Sequence, residues 1–455
     1  MKYSVQEIVN LQKEFFAHNQ TKNVTFRIQM LKRLKNAVKE NEQALLNALY
    51  RDLGKSKAEA YMTELVLVYQ EIDDAIRHLR SWAKPVRVRG TLGTFPAKNY
   101  IYQEPYGVVL ILSPWNYPVM LALTPLIGAM AAGNCAVLKC SKSSPHTSEV
   151  IAYLINRTFP KKYLHCLAKE SDYDKVTDQD YDHIFFTGSP AVGKHIMETA
   201  AKRLIPVTLE LGGKSPCFID ESADLSLAAK RIAWGKFLNA GQTCIAVDYV
   251  LIANSVKQEF LALLQKEIQK RYADAEKRDD YPCIVNGHHY ERLKHLLETE
   301  NEVMGGQCNE KERKIAPAIL PGAEFSHEIM KEEIFGPLLP VIGYDDLECV
   351  IAAVKQRPKP LACYIFSRNR KVVCKLLHEV SFGGGCVNDA ILHISNPRLP
   401  FGGVGMSGMG NYHGRYSFET FSHEKGVVEN VNFLDVPLRY APFTERKYKV
   451  LKRVL

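Results

Sequence analysis

The sequence lacks the features that mark secreted, membrane-spanning and zinc-binding proteins. Its eleven cysteines form no CxxC pair, which argues against a zinc site and against a disulfide framework, and we expect no metal. An odd number of cysteines favours a reducing compartment. The N-terminus has no apolar signal core, and no apolar run approaches the roughly 20 residues of a membrane-spanning helix. We therefore expect a cytoplasmic protein without an integral membrane segment.

Strong charge of one sign is also missing. The formal net charge is +9 over 455 residues, and it is spread along the chain apart from a basic tail between Arg446 and Arg453. We interpret this tail as a solvated helix face and expect no nucleic-acid partner, while peripheral contact with a membrane stays open. A hydrophobic content of 46% is ordinary for a globular enzyme, and the length suffices for two or three domains.

Alternating strands and helices dominate the middle of the chain. Short apolar runs without charges are typical of strands buried on both faces of a parallel sheet. Helical spacing between these runs predicts a doubly wound α/β domain followed by a second α/β domain. The predicted strands are residues 108–112, 135–139, 182–186, 249–252, 338–342 and 362–367. The predicted helices are residues 121–130, 148–155, 190–201, 257–270, 347–355 and 371–379.

The segments around this pattern have a different character. Three amphipathic helices are predicted upstream, and a capping box of Ser4 and Glu7 begins the first. Residues 85–102 mix valine and tyrosine with glycine, proline and basic residues, which predicts extended strands outside the main core. Residues 285–314 are polar, and we interpret them as a surface helix with a loop.

Cys244 and Glu210 form a candidate catalytic pair. Cys244 follows the small and polar residues 239–243, and Glu210 lies in an apolar strand that runs into a glycine turn. A buried carboxylate is costly unless it is paired or functional, and a cysteine with a carboxylate base is a pattern of covalent catalysis. For a single cysteine, however, a buried structural role beside an ion-paired glutamate is the commoner interpretation.

Three other positions carry weaker signals. Residues 187–193 follow a strand and open a helix, where free amides can bind a phosphate, although a plain strand-helix turn is the commoner interpretation. Lys139 ends a predicted strand and, without a ligand, would be solvated. Asn116 follows the first buried strand. It either caps the next helix or donates a hydrogen bond to an oxyanion.

The glutamate and cysteine stretches together resemble the aldehyde dehydrogenase superfamily. The stretch Leu-Glu-Leu-Gly-Gly-Lys at 209–214, followed by Gly-Gln-Thr-Cys at 241–244, carries this resemblance. His-Gly at 413–414 and Phe-Glu-Thr-Phe-Ser-His at 418–423 are similar to its class 3 branch of fatty and aromatic aldehyde dehydrogenases. The resemblance extends from about Val24 to the end. Some class 3 relatives end in a membrane anchor, whereas the last residues here are too few and too charged to form one, so we expect a soluble form.

The resemblance implies a domain organisation. A Rossmann-like cofactor domain would comprise residues 1–84 and 104–209, and a second α/β catalytic domain residues 210–395. A small β oligomerisation or bridging segment would comprise residues 85–103 and 396–430, followed by a C-terminal tail at 431–455. The family's class 3 members also imply a homodimer, paired through the hairpin at 86–102 and a late strand near 417–427.

The resemblance also implies NAD(P)-dependent oxidation of an aldehyde to a carboxylic acid. Cys244 would carry a thiohemiacetal and then a thioester, Asn116 would donate to the oxyanion, and Glu210 would activate water. Tyr117 and Phe401 would wall the substrate tunnel. The residues implied for binding NAD or NADP are Trp115, Lys139, Lys142, Gly188, Ser189, Pro190, Ala191, Val192, Gly193, Leu211, Glu333 and Phe335.

Two stretches depart from the family's usual pattern. Lys139-Cys140-Ser141-Lys142 stands where proline, serine and glutamate usually follow the ribose lysine. The segment 164–170 also lacks the usual glycine-rich form. A lysine at 142 no longer repels a 2′-phosphate, so we expect NADP to be accepted, either in preference to NAD or beside it.

Two other functions stay open at this stage. A CoA-acylating relative would pass the acyl group to CoA instead of water, and a structural or binding homologue would have lost the chemistry. The presence of both Glu210 and Cys244 favours the hydrolytic enzyme over each of them. The chain length of the aldehyde is not readable from the sequence.

Overall fold

The computed structural model describes residues 3–454 and has an α/β fold. The helices are α1 (Val5–Ala17), α2 (Val24–Glu40), α3 (Glu42–Leu53), α4 (Lys57–Ala60), α5 (Val66–Trp82), α6 (Met120–Ala132), α7 (Pro145–Thr158), α8 (Tyr173–Thr177), α9 (Pro190–Ala201), α10 (Leu225–Phe237), α11 (Asn254–Tyr272), α12 (Gly287–Glu298), α13 (Leu347–Lys355), α14 (Arg370–Glu379), α15 (Arg415–Thr420) and α16 (Glu445–Val454).

The strands form two large sheets and two small ones. They are β1 (Val86–Val88), β2 (Lys98–Pro105), β3 (Val108–Leu112), β4 (Cys135–Lys139), β5 (Leu164–Cys166), β6 (His183–Thr187), β7 (Val207–Glu210), β8 (Pro216–Ile219), β9 (Tyr249–Ala253), β10 (Met304–Gly305), β11 (Cys308–Asn309), β12 (Lys314–Ile315), β13 (Ala318–Leu320), β14 (Leu338–Tyr344), β15 (Ala362–Phe366), β16 (Gly384–Val387), β17 (Gly408–Met409) and β18 (Ser422–Glu429).

The first large sheet has the strand order β17-β7-β6-β3-β4-β5. All neighbours in it are parallel except β17, which runs antiparallel to β7. Every residue of β3, β4 and β6 is buried, as expected for strands covered by helices on both faces. Parallel strands bring their carboxyl ends to one edge, so the loops after β3, β4, β6 and β7 meet there.

The second large sheet has the order β10-β13-β14-β9-β8-β15-β16 and is parallel apart from β10. Cys244 lies in the loop that enters β9, and Phe335 lies in the loop that enters β14. The α/β class with two parallel sheets is therefore confirmed.

A three-stranded antiparallel sheet lies apart from both cores, in the order β1-β2-β18. β18 pairs with β2 from Ser422 opposite Pro105 to Glu429 opposite Lys98. The side chains of β1 and most of β18 are exposed. The prediction of extended strands outside the core at 85–102 is confirmed, and β11 with β12 forms the remaining small sheet.

Several elements escaped the prediction from sequence, among them α3, α10, β5, β8 and β16. β8 begins with Pro216, and β16 contains Gly384 and Gly385, which are residues that weaken a strand signal. The polar stretch at 285–314 holds α12 as predicted, together with the short strands β10 to β12. The basic tail forms α16, and its basic residues are mostly exposed. Within residues 3–454, no helix is both long and apolar enough to cross a membrane.

Candidate active site

A cavity of about 1540 Å³ lies between the carboxyl edge of the first sheet and the loop of Cys244. Cys244, Glu210 and Asn116 all line it. The predicted cofactor and substrate residues line it as well, with Gly193 as the exception. Three segments far apart in the sequence therefore place a thiol, a carboxylate and an amide in one enclosed space.

The loop that carries Cys244 has an unusual backbone. Asn239, Ala240 and Gly241 have φ angles of 54°, 50° and 74°, in the left-handed region. Only a glycine fits at 241, because a Cβ there would lie 2.2 Å from the carbonyl oxygen of Gly336. Gln242 holds the loop by donating to the carbonyl oxygens of Asn239 and Cys283 at 3.1 and 3.0 Å. Strain at non-glycine residues persists only where the surroundings enforce it, and these contacts do so.

The thiol of Cys244 is held in its neutral form at rest. Burial raises its pKa most, and the negative charges of Glu333 and Glu210 raise it further. Only the backbone amides of Cys244 and Ile245 act in the opposite direction. Because the thiolate is the nucleophile, the cavity must take up the proton or supply a positive charge before the thiol reacts.

Glu210 ends β7 with its carboxylate buried in the cavity wall. It is 2% exposed, and neither carboxylate oxygen has a hydrogen-bond partner within the described residues. Burial raises its pKa well above the ordinary value. A fixed salt bridge, the alternative expected from sequence, is not formed here. A buried polar group without a partner is rare unless it has a function, so this carboxylate is available to a substrate or to water.

Both the side chain and the backbone of Asn116 are held by hydrogen bonds. Its Nδ2 donates to the carbonyl oxygen of Gln242 at 3.1 Å, and its own carbonyl oxygen accepts from Asn239 Nδ2 at 2.9 Å. The alternative role as a helix cap is wrong, because the carboxylate of Glu64 accepts from the Val119 and Met120 amides at the start of α6. One amide hydrogen of Asn116 remains free for a ligand in the cavity.

Lys55 and Glu64 were missed by sequence reasoning. Their side chains are fully buried and form an ion pair at 2.7 Å. Lys55 Nζ also donates to the Asn116 carbonyl oxygen at 2.9 Å and lies 3.9 Å from the ring centre of Tyr117. Removing one partner of a buried pair leaves an uncompensated charge, so this pair fixes the Asn116 backbone. A glutamate on the apolar stripe of an upstream helix was the only available signal.

Glu333 lies in the loop that enters β14 of the second sheet, and it lines the cavity. Burial, aided by the charge of Asp248, raises its pKa to about 8. Its carboxylate packs so closely on Gly212 that a Cβ there would lie 2.0 Å from Oε2. Phe335, with a φ of 50°, packs edge to face with Trp115, and the two ring centres lie 5.4 Å apart. These residues form the wall expected to face a nicotinamide.

Asp248 and Lys214 hold this wall in place, and neither was predicted. Asp248 accepts from Lys214 Nζ at 2.6 Å and from the Ile334 amide at 3.0 Å. Lys214 Nζ also donates to the carbonyl oxygens of Ile329 and Glu332, at 2.9 and 2.8 Å. Charge-assisted hydrogen bonds are stronger than neutral ones, so this pair fixes the segment that carries Glu333 and Phe335.

The loop between β6 and α9 is only partly the open amide cradle that its sequence indicates. Ser189 Oγ caps the helix by accepting from the Val192 amide at 3.5 Å, and the Ser189 carbonyl accepts from the Gly193 amide at 2.9 Å. Pro190 has no amide hydrogen. The amide of Ala191, the next residue of α9, has no hydrogen-bond partner among the described residues. Gly188 matters for close packing, since a Cβ there would lie 2.4 Å from the ring of Phe186.

Gly193 and Leu211 form a packing contact behind the cavity. A Cβ on Gly193 would lie 2.7 Å from Leu211 Cδ2. Leu211 lines the cavity and Gly193 does not. The expected direct contact of Gly193 with a cofactor is therefore replaced by an indirect role, in which the glycine lets α9 approach the strand end.

The far end of the cavity carries two lysines. Lys139 is buried, which corrects the expectation of a solvated lysine in the absence of a ligand. Its ammonium lies 5.6 Å from the ring centre of Tyr173, and burial, together with the charge of Lys142, lowers its pKa. Lys142 is exposed at the rim. A buried cation that has no acid partner within residues 3–454 suits an anionic or polyhydroxyl ligand.

The remaining wall is aromatic and apolar. Tyr117 binds Thr243 Oγ1 at 2.6 Å, and Phe401 stacks on His393 at 5.8 Å between ring centres. Tyr412, missed from sequence, packs edge-on against Phe401, and its buried hydroxyl has no partner among the described residues. Met120, Leu121, Trp234, Ile391 and Ile394 also line this side.

The chain was compared with protein families and with curated proteins. The profile of the aldehyde dehydrogenase family matches residues 2–427, so the likeness begins further upstream than Val24. A 4,4'-diaponeurosporen-aldehyde dehydrogenase of Staphylococcus aureus is 45% identical over 97% of this chain and 96% of its own. A dimeric, NADP-preferring aldehyde dehydrogenase of Rattus norvegicus is 44% identical over 93% of this chain and 94% of its own.

The structural comparison points in the same direction. A solved structure described as the substrate-bound state of Staphylococcus aureus AldH superposes with a TM-score of 0.96 at 43% identity, over 100% of this chain and 99% of that one. Other relatives include family 3 members such as the comG protein of Dictyostelium discoideum, 40% identical over 98% of this chain. The chain belongs to the aldehyde dehydrogenase family and resembles its family 3 members.

Proposed function

We propose that this enzyme oxidises its aldehyde through a covalent intermediate on Cys244. The observation that carries the proposal is the meeting of the Cys244 thiol, the unpartnered Glu210 carboxylate and the Asn116 amide on one cavity. The thiolate attacks the carbonyl carbon, and the oxygen becomes an alkoxide that the free amide hydrogen of Asn116 stabilises. The proton of the thiol passes to Glu210 or Glu333 in its ionised form, because burial makes each carboxylate a stronger proton acceptor than an exposed one.

The second half of the reaction releases the acid. The chemistry that NAD(P)⁺ supplies when bound is acceptance of the hydride from the substrate carbon, which leaves a thioester on Cys244. Glu210 then removes a proton from a water molecule that attacks this thioester, and the carboxylic acid and the free thiol result. A carboxylate with no fixed hydrogen bonds suits this step, because it can turn toward water when the acyl group is in place.

The cavity fits a dinucleotide by the chemistry of its lining. Lys139 is a buried cation without an acid partner among the described residues, Glu333 and Phe335 line the cavity from the loop that enters β14, and Ala191 offers an amide at the start of α9. Lys139 would hold the adenosine ribose, and Glu333 with Phe335 would hold the nicotinamide riboside. Because Lys142 is a second cation at the rim, NADP is accepted together with NAD. A relative 44% identical is itself NADP-preferring.

The substrate is proposed to be an apolar aldehyde, aliphatic or aromatic. The wall of Trp234, Ile391, Ile394 and Phe401 offers few polar partners. A turnover screen should compare short, medium, long and aromatic aldehydes with each cofactor. We expect kcat/KM to rise with the apolar surface of the aldehyde. Each added methylene group contributes at most about 1 to 3 kcal/mol, which corresponds to about ten- to two-hundredfold. Equal kcat/KM for acetaldehyde and decanal would contradict the proposed substrate class.

The alternative to hydrolysis of the thioester is a CoA-acylating reaction. Identifying the product distinguishes the two. In the CoA-acylating reaction an acyl-CoA replaces the acid, and Glu210 has no water to activate. The product of aldehyde oxidation should therefore be the carboxylic acid, in equal yield with and without added CoA. An acyl-CoA product would overturn the hydrolytic role of Glu210, while a complete lack of turnover with every aldehyde would favour the catalytically inactive homologue.

We also propose the domain division and the homodimer that the sequence predicts. The first sheet would be the core of the cofactor domain (1–84 and 104–209), and the second that of the catalytic domain (210–395). The sheet of β1, β2 and β18 would form the oligomerisation segment (85–103 and 396–430), because its faces are exposed in one chain. Light scattering should give twice the 51.4 kDa chain mass, and a monomer at working concentration would contradict this assembly.

A further inference from the structure

The two stretches that depart from the family pattern each contain a cysteine, and the fold brings these cysteines together. Cys140 directly follows β4, and Cys166 ends β5, the strand beside it. Both are free thiols and both are buried. Cys140 also lines the cavity, between Lys139 and Lys142, at the end assigned to the adenosine ribose. The proposed reaction does not use this pair.

The pairing of β4 with β5 places both thiols on the same face of the sheet. In the parallel register, Leu138 lies opposite Cys166, and the Leu167 amide donates to the Leu138 carbonyl at 2.8 Å. Since side chains alternate along a strand, Cys140 projects to the same side as Leu138 and hence as Cys166. Asn156 fixes the Cys166 backbone by binding its amide and its carbonyl at 2.9 and 2.8 Å.

The two thiols differ in acidity, as a nucleophilic thiol and its resolving partner do. The neighbouring Cys166 thiol lowers the pKa of the Cys140 thiol most, and the Ser113 hydroxyl and the Lys139 ammonium lower it further. Burial raises this pKa, but its effect is smaller. The same contact raises the pKa of Cys166 well above its ordinary value. A thiol of lowered pKa beside a cavity is the one that oxidants attack first.

We propose that Cys140 and Cys166 form an oxidisable dithiol at the adenosine end of the cavity, which hydrogen peroxide converts to a disulfide that weakens cofactor binding. The Cys140 thiolate attacks the peroxide oxygen, the O–O bond breaks, and a sulfenic acid and hydroxide form. The Cys166 thiol then displaces the sulfenic hydroxyl as water, and the S–S bond forms. Overall, two thiols are oxidised, one peroxide is reduced and two water molecules are released.

The disulfide acts on the cofactor through Lys139. A disulfide needs its sulfurs about 2.05 Å apart, so the bond draws the segment after β4 toward β5. Lys139 and Lys142 flank Cys140 in that segment, and both line the cavity. Conversely, a bound dinucleotide covers Cys140 and slows its oxidation. This coupling rests on the proposed cofactor site, whereas formation of the disulfide does not.

The test uses the full-length Cys244→Ser protein, so that the nucleophile itself cannot be oxidised. After hydrogen peroxide treatment, mass spectrometry of tryptic peptides should find a Cys140–Cys166 disulfide, and NADP⁺ titration should give a Kd raised by about fivefold or more, the effect of one weakened ionic contact. Dithiothreitol should restore the original Kd. Saturating NADP⁺ present during the treatment should slow formation of the disulfide.

Variants separate the disulfide from general oxidative damage. Cys166→Ala in the same background should bind NADP⁺ within about twofold of the unoxidised protein, and peroxide should then leave its Kd unchanged. Cys217→Ala is the matched control. Cys217 and Cys363 are buried in the neighbouring strands β8 and β15, but Tyr364 is opposite Cys217, so Cys363 faces the other side of the sheet. This control should respond to peroxide like the parent.

The outcomes distinguish the two proposals. Free Cys140 and Cys166 after a peroxide treatment that oxidises the catalytic thiol of the unsubstituted enzyme would overturn the dithiol. A disulfide that leaves the Kd for NADP⁺ unchanged would overturn its effect on the cofactor. Failure of the untreated protein to bind either NAD⁺ or NADP⁺ would instead overturn the proposed cofactor site, and the mass spectra would still decide whether the dithiol is oxidised.

Discussion

The two ends of the cavity carry different ionisable groups, with acids at one end and lysines at the other. At the chemical end lie the buried Glu210 and the half-buried Cys244 and Glu333, whose pKa values are all raised, so each prefers to be neutral. At the adenosine end, Lys139 and Lys142 present positive charge, and the pKa of Lys139 is lowered. One end is arranged to exchange protons, the other to hold an anionic ligand. We therefore propose that the cavity serves catalysis at one end and binding at the other.

The way the two ends are held differs as well. The Asn116 and Cys244 loops are fixed by buried contacts from Lys55, Glu64 and Gln242. At the other end Lys142 is exposed and has no such support. Substitutions at the chemical end should therefore reduce the rate by orders of magnitude, whereas those at the adenosine end should change the affinity and choice of cofactor by small factors.

The largest effect is expected for Cys244→Ser. A hydroxyl does not form the required nucleophile in this buried site, so steady-state aldehyde oxidation should fall by at least about ten-thousandfold. Tm and NADP⁺ affinity should stay near those of the parent. Cys217→Ser, a buried cysteine outside the cavity, is the matched control and should keep most of the activity. Substantial turnover by a well-folded Cys244→Ser protein would remove Cys244 from the mechanism.

The next effect concerns Glu210→Gln, which should slow thioester hydrolysis by about a thousandfold. Acylation of Cys244 by an activated ester isolates this step, because an acylated thiol no longer titrates. In the parent, deacylation should rise with pH through the raised pKa of Glu210 and then level off, since only the ionised carboxylate accepts a proton from water.

In Glu210→Gln that rising limb should disappear. Glu276→Gln, at a buried glutamate outside the cavity, should keep the profile of the parent. A pH profile with the same limb in parent and Glu210→Gln would assign the titration to another group, and Glu333 is the first to examine.

Asn116→Ala should lower kcat by about a hundredfold, because one donor to the alkoxide is lost. Asn134 is a buried amide outside the cavity that accepts from the Gly107 amide and donates to the Phe421 carbonyl oxygen. Its loss should affect stability and not the rate. Asn134→Ala should lower Tm and leave kcat within about twofold. If both variants lose stability and rate in equal measure, Asn116 is structural.

The smallest effect is expected at the adenosine end. Lys142→Glu replaces a cation by an anion at an exposed rim, so the ratio of kcat/KM for NADP to that for NAD should fall by about fivefold or more. Raised ionic strength should reduce the difference, because the site is open to solvent. Lys371→Glu, remote from the cavity, should leave the ratio unchanged. An unchanged ratio in Lys142→Glu would mean that Lys142 does not touch the cofactor.

Much of the architecture could be predicted from the sequence for a simple reason. β3, β4 and β6 are buried on both faces, and this leaves uninterrupted apolar runs that are easy to recognise. Active sites of such sheets lie where the strands end, which agrees with the positions of Asn116, Lys139 and Glu210, whereas the roles of Asn116 and Lys139 came from the resemblance to the aldehyde dehydrogenases. β8 and β16 were missed, because their proline and glycine residues weaken the strand pattern in the sequence. The neighbouring strands of the sheet stabilise them.

The sequence by itself determined the buried strands and the residues that end them, because each follows from a local pattern of apolar residues. Only the tertiary structure decided which distant groups meet. Lys55 reaches Asn116 across 61 positions, Asp248 fixes the Ile334 amide across 86, and β4 with β5 brings Cys140 beside Cys166. Burial decided the charges as well, since the same glutamate is an ordinary acid in water and a neutral one in a dry wall.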